Sequence, residues 1–136
     1  MYPRSRLLSR QLISSGGPWE GRVGYSRAVR TGNHVFVAGT TSAEPDGAIF
    51  GAGDAYLQAR RCFEIIEQAL VEAGAAMRHV VRTRMFVTDI SLWEEFGRAH
   101  GEFFRDIRPA ATMVQVARLI DSAILIEIEV DAVIDD

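Results

Sequence analysis

No lysine occurs among the 136 residues: all 15 basic residues are arginine, set against 18 aspartates and glutamates for a formal net charge of −3. No polybasic block is present, which argues against a nucleic-acid partner, because counterion release needs clustered basic side chains without matching carboxylates. A single cysteine, Cys62, leaves no internal disulfide and no CxxC pair. That rules out a disulfide scaffold or a zinc finger and points to a reducing compartment. Cys62 itself is not expected to be reactive. No apolar run approaches the roughly 20 residues of a membrane span, and Met1–Leu8 carries charge without a signal-peptide core, so a cytoplasmic protein with no membrane partner is expected. Repeats, low-complexity tracts and linkers are also missing. With 48% hydrophobic and 24% charged residues, the chain reads as one domain over 1–136.

What is there reads as short strands around two helices. Leu7–Ile13 is a candidate first strand, ended by the turn formers Ser14-Ser15-Gly16-Gly17-Pro18 and a loop holding Trp19 and Glu20. Tyr25–Arg30 and His34–Thr40 flank Gly32-Asn33, a pair suited to a tight hairpin. Thr41–Gly53 reads as a surface loop, a candidate lid or rim. From Asp54, an N-cap, apolar residues recur at helical spacing until Gly74 stops the helix. Val80–Thr88 alternates as a strand, with Val81, Thr83, Met85 and Val87 on one side. Ser91 and Glu94 read as a capping box opening a second helix to about Phe104, with Trp93 in the core beside Phe96, Phe103 and Phe104. Gly97 and Gly101 each weaken that helix, tolerable where something approaches closely. Thr112–Ala117 and Ile124–Val133 close the fold, the latter with Ile124, Ile126, Ile128 and Val130 inward. The order is β-β-β-α-β-α-β-β, an α+β two-layer arrangement with a mixed or mostly antiparallel sheet and two helices on one face. Its other face stays uncovered unless an oligomer buries it, with Phe86 and Val133 as hints.

Few residues read as chemistry. Glu127, Glu129 and Asp131 alternate along the last strand, so they project from one face about 6–7 Å apart. For Glu129 and Asp131 the simplest reading is a solvated face neutralised by Arg82 and Arg84. A carboxylate of this stripe in a partly dry cleft would hold or take a proton, and Glu127 is preferred for that role only on the resemblance given below. His34, His79 and His100 show no metal-ligand spacing, no serine sits in a GxSxG context, and Gly51-Ala52-Gly53 lacks the rest of a phosphate loop. No metal and no cofactor are expected. Trp19 is either a local plug or part of a ligand wall.

The runs Gly24-Tyr25-Ser26-Arg27-Ala28-Val29 and Val35-Phe36-Val37-Ala38-Gly39 resemble the RidA family, also called YjgF or the L-PSP endoribonuclease family. The resemblance continues in family order through Gln58-Ala59-Arg60, Val81–Asp89, Phe103-Phe104, Arg108-Pro109-Ala110, Val114–Leu119 and Ile126–Glu129. It implies a chorismate-mutase-like fold and a homotrimer with a small-molecule ligand in clefts between subunits. Archetypal members hydrolyse enamines and imines made by pyridoxal-phosphate enzymes, releasing ammonia and a keto acid without metal or organic cofactor. An arginine after the Pro-Ala pair clamps the substrate carboxylate in those members. Here that position is Ala111. Ala38, Gly97 and Met113 stand where the family has serine, asparagine and cysteine, whereas Tyr25 and Glu127 match the cleft tyrosine and the water-handling acid.

The chain thus resembles the branch lacking the arginine, not expected to be efficient 2-iminoacid deaminases. The expected site consists of Tyr25 and Glu127 as catalytic residues, with Gly39, Ala111, Thr112, Met113, Trp19, Glu20 and Gly97 around the ligand. Its chemistry would be hydrolytic. Two alternatives stand beside it: a non-catalytic metabolite-binding or regulatory trimer and, weaker, an endoribonuclease. Arg22, Arg27 and Arg118 are the arginines that would replace the missing clamp, from the same or a neighbouring subunit.

Overall fold

The alternation of apolar residues in the middle of the chain builds one sheet. The computed structural model describes residues 10–136. Six strands, β1 (Gln11–Ile13), β2 (Ala28–Thr31), β3 (His34–Thr40), β4 (Val80–Val87), β5 (Ala110–Gln115) and β6 (Ile126–Val133), lie in the order β1-β2-β3-β6-β4-β5. Only β4 and β5 run parallel, and the helix between them, α2 (Trp93–Phe104), is the crossover such a pair requires. The first helix, α1 (Ala55–Glu72), connects β3 to β4. Strand and helix order match the sequence expectation. Residues 7–9 of the expected first strand lie outside the described residues.

Burial is one-sided. Along β6, Ile126, Ile128, Val130 and Ala132 are buried against the helices while Glu127, Glu129, Asp131 and Val133 face the other way. Helix α1 supplies Ala59, Cys62, Phe63, Ile66 and Leu70 to the same layer, and α2 supplies Phe96, Ala99 and Phe104. Each large side chain so buried contributes roughly 1.5–3 kcal/mol.

The ends of α1 follow the sequence. Asp54 accepts from the Leu57 amide at 2.9 Å, and Gly74 ends the helix at φ +83°. Gln58, fully buried in the second turn, donates to the Ala123 carbonyl at 2.9 Å and accepts from the Leu125 amide at 2.8 Å. That bridge fixes the entry of β6 and with it Glu127.

Several local expectations are corrected. Strand β2 starts at Ala28 rather than Tyr25, because the Tyr25 amide turns back to the Glu20 carbonyl at 3.0 Å. Val81 points outward, 47% exposed, since a bulge between Val80 and Arg82 against β6 inserts an extra residue. The Ser91–Glu94 capping box does not form. Asp89 takes both the amide and the hydroxyl of Ser91, at 3.0 and 2.6 Å, winding residues 90–92 into a tight turn before α2. Trp93 opens α2 beyond the layer it was expected to join and is 56% exposed. Strand β5 begins at Ala110, directly after Arg108 at φ +58° and Pro109.

Candidate functional site

The turn-forming run before Glu20 prepares one corner of the site. Residues Glu20–Gly24 wind into a single wide turn closed on the Tyr25 amide, and the Glu20 carboxylate folds back underneath, buried. It accepts from the Ser14 hydroxyl at 2.9 Å, the Ser15 amide at 3.2 Å and the Ser15 hydroxyl. Burial alone would raise its pKa, but these donors and nearby Arg27 together hold it below the ordinary carboxylate value. Glu20 therefore serves as a fixed anion that ties the loop down. Trp19 is half-exposed, with the Arg22 guanidinium stacked 4.9 Å from its ring centroid.

The centre of the site is the irregular stretch of β3. Pairing with β6 loses register between Val37 and Thr40, and Gly39 falls inside that stretch. The Glu127 carboxylate occupies the space a side chain on Gly39 would fill: a methyl built there overlaps Oε2 and lies 3.0 Å from Cδ and 3.3 Å from Cγ. Arg27 Nη2 donates to the carbonyls of Ala38 and Gly39, at 2.7 and 2.6 Å. Its Nε is buried without a partner among the described residues. Burial weakens the guanidinium's hold on its proton while Tyr25, Glu20 and Glu127 nearby strengthen it, and the group remains charged.

Glu127 is half-buried, and no hydrogen bond reaches its carboxylate among the described residues. Burial pushes its pKa above the ordinary value; Arg27 opposes this and Glu129 adds to it. The rest of the stripe is neutralised as the sequence suggested. Arg84 reaches Glu129 at 3.3 Å and Asp131 at 3.2 Å, with Arg82 Nε 4.0 Å from Asp131. Among the described residues, Glu127 is left as the member of the stripe without a bonded cation, opposite Phe86 of β4.

A single chain therefore gathers Tyr25, Glu20, Gly39 and Glu127 around Arg27. Ala111, Thr112 and Met113 lie on edge strand β5, one strand beyond β4, hence about 10 Å from β6. Thr112 pairs with Arg84, while Ala111 and Met113 are level with Thr83 and Met85, and Met113 packs against the core. Gly97 lies on α2, and a methyl built on it meets nothing within 4 Å, so the close approach expected there is absent within the described residues of one chain. An open groove of about 760 Å³ runs beside the gathered residues, lined in part by Leu12, Glu20, Tyr25, Phe36 and Glu129.

Of the three arginines named from sequence, Arg22 is stacked on Trp19, Arg118 is exposed in the β5–β6 loop, and Arg27 stands at the site. Sequence reasoning named Arg27 only as a replacement clamp and missed its hold on the Ala38 and Gly39 carbonyls, as it missed the serines that hold Glu20. The one available signal was the position of Arg27 two residues after Tyr25, at the lead into a strand. Another cluster, His79 with Asp135 and Asp136, has both imidazole nitrogens engaged: Nδ1 accepts from the Ala76 amide and Nε2 lies 2.5 Å from Asp136. Cys62 is buried and its thiol pKa is pushed up by desolvation, so it supplies no nucleophile.

A six-stranded mixed sheet carrying two helices on one face, with an acidic site at an irregular strand, defines a chorismate-mutase-like α+β protein. Residues 19–134 match the family model described as Endoribonuclease L-PSP. The crystal structure of Rv2704 from Mycobacterium tuberculosis, described as a member of the YjgF/YER057c/UK114 family, is 47% identical. It superposes with a TM-score of 0.84 over 92% of this chain and 99% of that one. Protein SCO2049 of Streptomyces coelicolor is 39% identical over 88% of this chain and 89% of its own length. The 3-aminoacrylate deaminase RutC of Acinetobacter baylyi is 31% identical over 76% of this chain and 82% of its own. The chain belongs to the RidA/YjgF family. No helix among the described residues is long and apolar enough to cross a membrane.

Proposed function

We propose that this protein is a cytoplasmic homotrimer whose inter-subunit clefts bind a small metabolite and hydrolyse an enamine or imine, with Glu127 moving the proton and Tyr25 lining the same cleft. The observation that carries the reading is the Glu127 carboxylate: half-buried, without a hydrogen bond among the described residues and packed on a glycine, while its neighbours on the stripe are paired. A carboxyl in that state keeps its proton to higher pH than a solvated one. It protonates the enamine carbon to give an iminium. Water then adds to the iminium carbon, returning a proton to Glu127, and the carbinolamine expels ammonia to leave a carbonyl.

The sheet face opposite the helices supports the trimer, since Leu12, Phe36 and Val114 stand 61%, 45% and 42% exposed among its charged residues. A second copy on this face brings its own edge strand, with Ala111, Thr112 and Met113, towards Glu127, Gly39 and Tyr25; Trp19, Glu20 and Gly97 belong to the rim. The deaminase named among the relatives supports the reaction class. With alanine at position 111, the charge-assisted anchor for a substrate carboxylate is missing, a loss of about 1.5–3 kcal/mol. The fitting substrate is neutral, planar or amine-bearing rather than a short 2-imino acid. An endoribonuclease is least supported, given the net charge of −3.

The test is ammonia release from freshly generated enamines with and without a carboxylate. Turnover of the uncharged compounds, weak turnover of 2-aminoacrylate and loss of both in Glu127→Gln are expected. Unchanged turnover in Glu127→Gln would overturn the mechanism. A ligand bound in the cleft and recovered chemically intact would replace it with a metabolite-binding role.

A further inference from the structure

The Glu127 carboxylate rests on a piece of backbone that the sheet does not hold. Between Val37 and Thr40 the β3–β6 ladder is out of register, so neither Ala38 nor Gly39 has a partner on β6, and the Ala38 amide donates to the Arg27 carbonyl on the other side at 3.0 Å. Arg27 makes up the deficit, one nitrogen donating to two successive carbonyls, Ala38 and Gly39. A neutral side chain would hold the carbonyls without placing a charge there. The guanidinium instead leaves its buried Nε without a partner among the described residues, a cost that needs a compensating role. Its charge acts on two carboxylates: Glu20, buried and fastened by Ser14 and Ser15, and Glu127, half-buried, which accepts no hydrogen bond among the described residues.

We propose that Arg27 is the positioning residue of this site, pinning the Gly39 backbone on which the Glu127 carboxylate rests and supplying the fixed positive charge against which that carboxylate ionises. Its catalytic meaning rests on the proposed role of Glu127 as proton carrier. The other groups that act on Glu127 are Glu129 on the same strand and Cys62 of α1; Arg84 of β4 lies on the same sheet face, and Tyr25 before β2 acts on Arg27 itself. Arg84 is already shared between Glu129 and Asp131, Cys62 stays neutral, and Glu129 opposes ionisation of Glu127. Arg27 is the group among these that favours it, so its removal moves the titration in one direction, towards higher pH. Lysine at the same position keeps the charge.

Carboxylate titration by 13C NMR on the full chain reads this without any substrate, so failure here and failure of the hydrolytic reading are separately visible. In Arg27→Gln the Glu127 midpoint is expected to rise by about one pH unit, and in Arg27→Lys to stay near the wild-type value. An unchanged midpoint in folded Arg27→Gln overturns the proposal. Should that variant not fold, the Arg27 Nε–H resonance of the wild type is followed through the Glu127 titration. It is expected to shift with the same midpoint, and a resonance that does not move overturns the proposal equally.

Discussion

Replacing Gly39 with alanine separates the site from the scaffold. Gly39 does not occupy the left-handed region, so its backbone accepts an L side chain without strain. The obstacle is the Glu127 carboxylate, whose Cδ would lie 3.0 Å and Cγ 3.3 Å from the new methyl, with Oε2 overlapping it. Ordinary carbon contacts begin near 3.5 Å, so the carboxylate must withdraw by about 1 Å or more. It is the end of a flexible side chain, and leaving its rotamer costs about 0.5–1.5 kcal/mol. Loss of glycine's freedom in the unfolded chain returns about 0.4–1 kcal/mol. The two nearly cancel, so thermal unfolding is expected to move by less than about 4 °C. Function responds differently, because a 1 Å misplacement of a reacting group lowers turnover by about 100-fold. Thermal melts, ammonia release from the best wild-type substrate and the Glu127 13C carboxyl shift measure all three quantities. A melt lowered by 10 °C or more, or turnover within a factor of three of wild type, would refute the claim that this glycine exists to seat the carboxylate.

Other perturbations have equally defined outcomes. Gln58→Ala leaves the Leu125 amide and the Ala123 carbonyl without their partner, and denaturant melts are expected to show a loss of about 2–4 kcal/mol. His100, half-buried with Nε2 2.9 Å from the Thr83 hydroxyl, has its pKa pulled by burial below the ordinary 6.5. The unfolded chain then binds the proton more readily, so the stability this group contributes is complete above pH 6.5 and fades as the pH falls through the folded value. His100→Gln is expected to flatten that part of a stability–pH curve measured by chemical denaturation. Ala111→Arg, at an exposed edge-strand position, is expected to raise turnover of 2-aminoacrylate by about 10- to 100-fold through a charge-assisted carboxylate contact, read as ammonia release.

Legibility in the sequence tracked how local the cause was. Strand β3, the caps of α1 and the inward isoleucines of β6 each follow from a pattern within a few residues, and they stand where the pattern put them. Val81, Ser91 and Trp93 failed because a bulge, a competing aspartate and the edge of the helical layer decided them, none visible as periodicity. Tyr25 and Glu127 were reached through resemblance to the family rather than spacing. The partners that seat Glu127 are set by a register slip in β3 and by an arginine arriving from before β2, which bring residues 27, 39 and 127 together across the chain. The position of Ala111 on the far edge follows from strand order, which composition and periodicity left open.

The central claim is that a second copy completes the site, joining one chain's Glu127 to another's edge strand. Sedimentation velocity of the purified full chain at micromolar concentration tests it directly. The expected result is a single species of about three times the 15.1 kDa chain mass; a stable monomer would contradict it, because Ala111, Thr112 and Met113 would then have no route to Glu127.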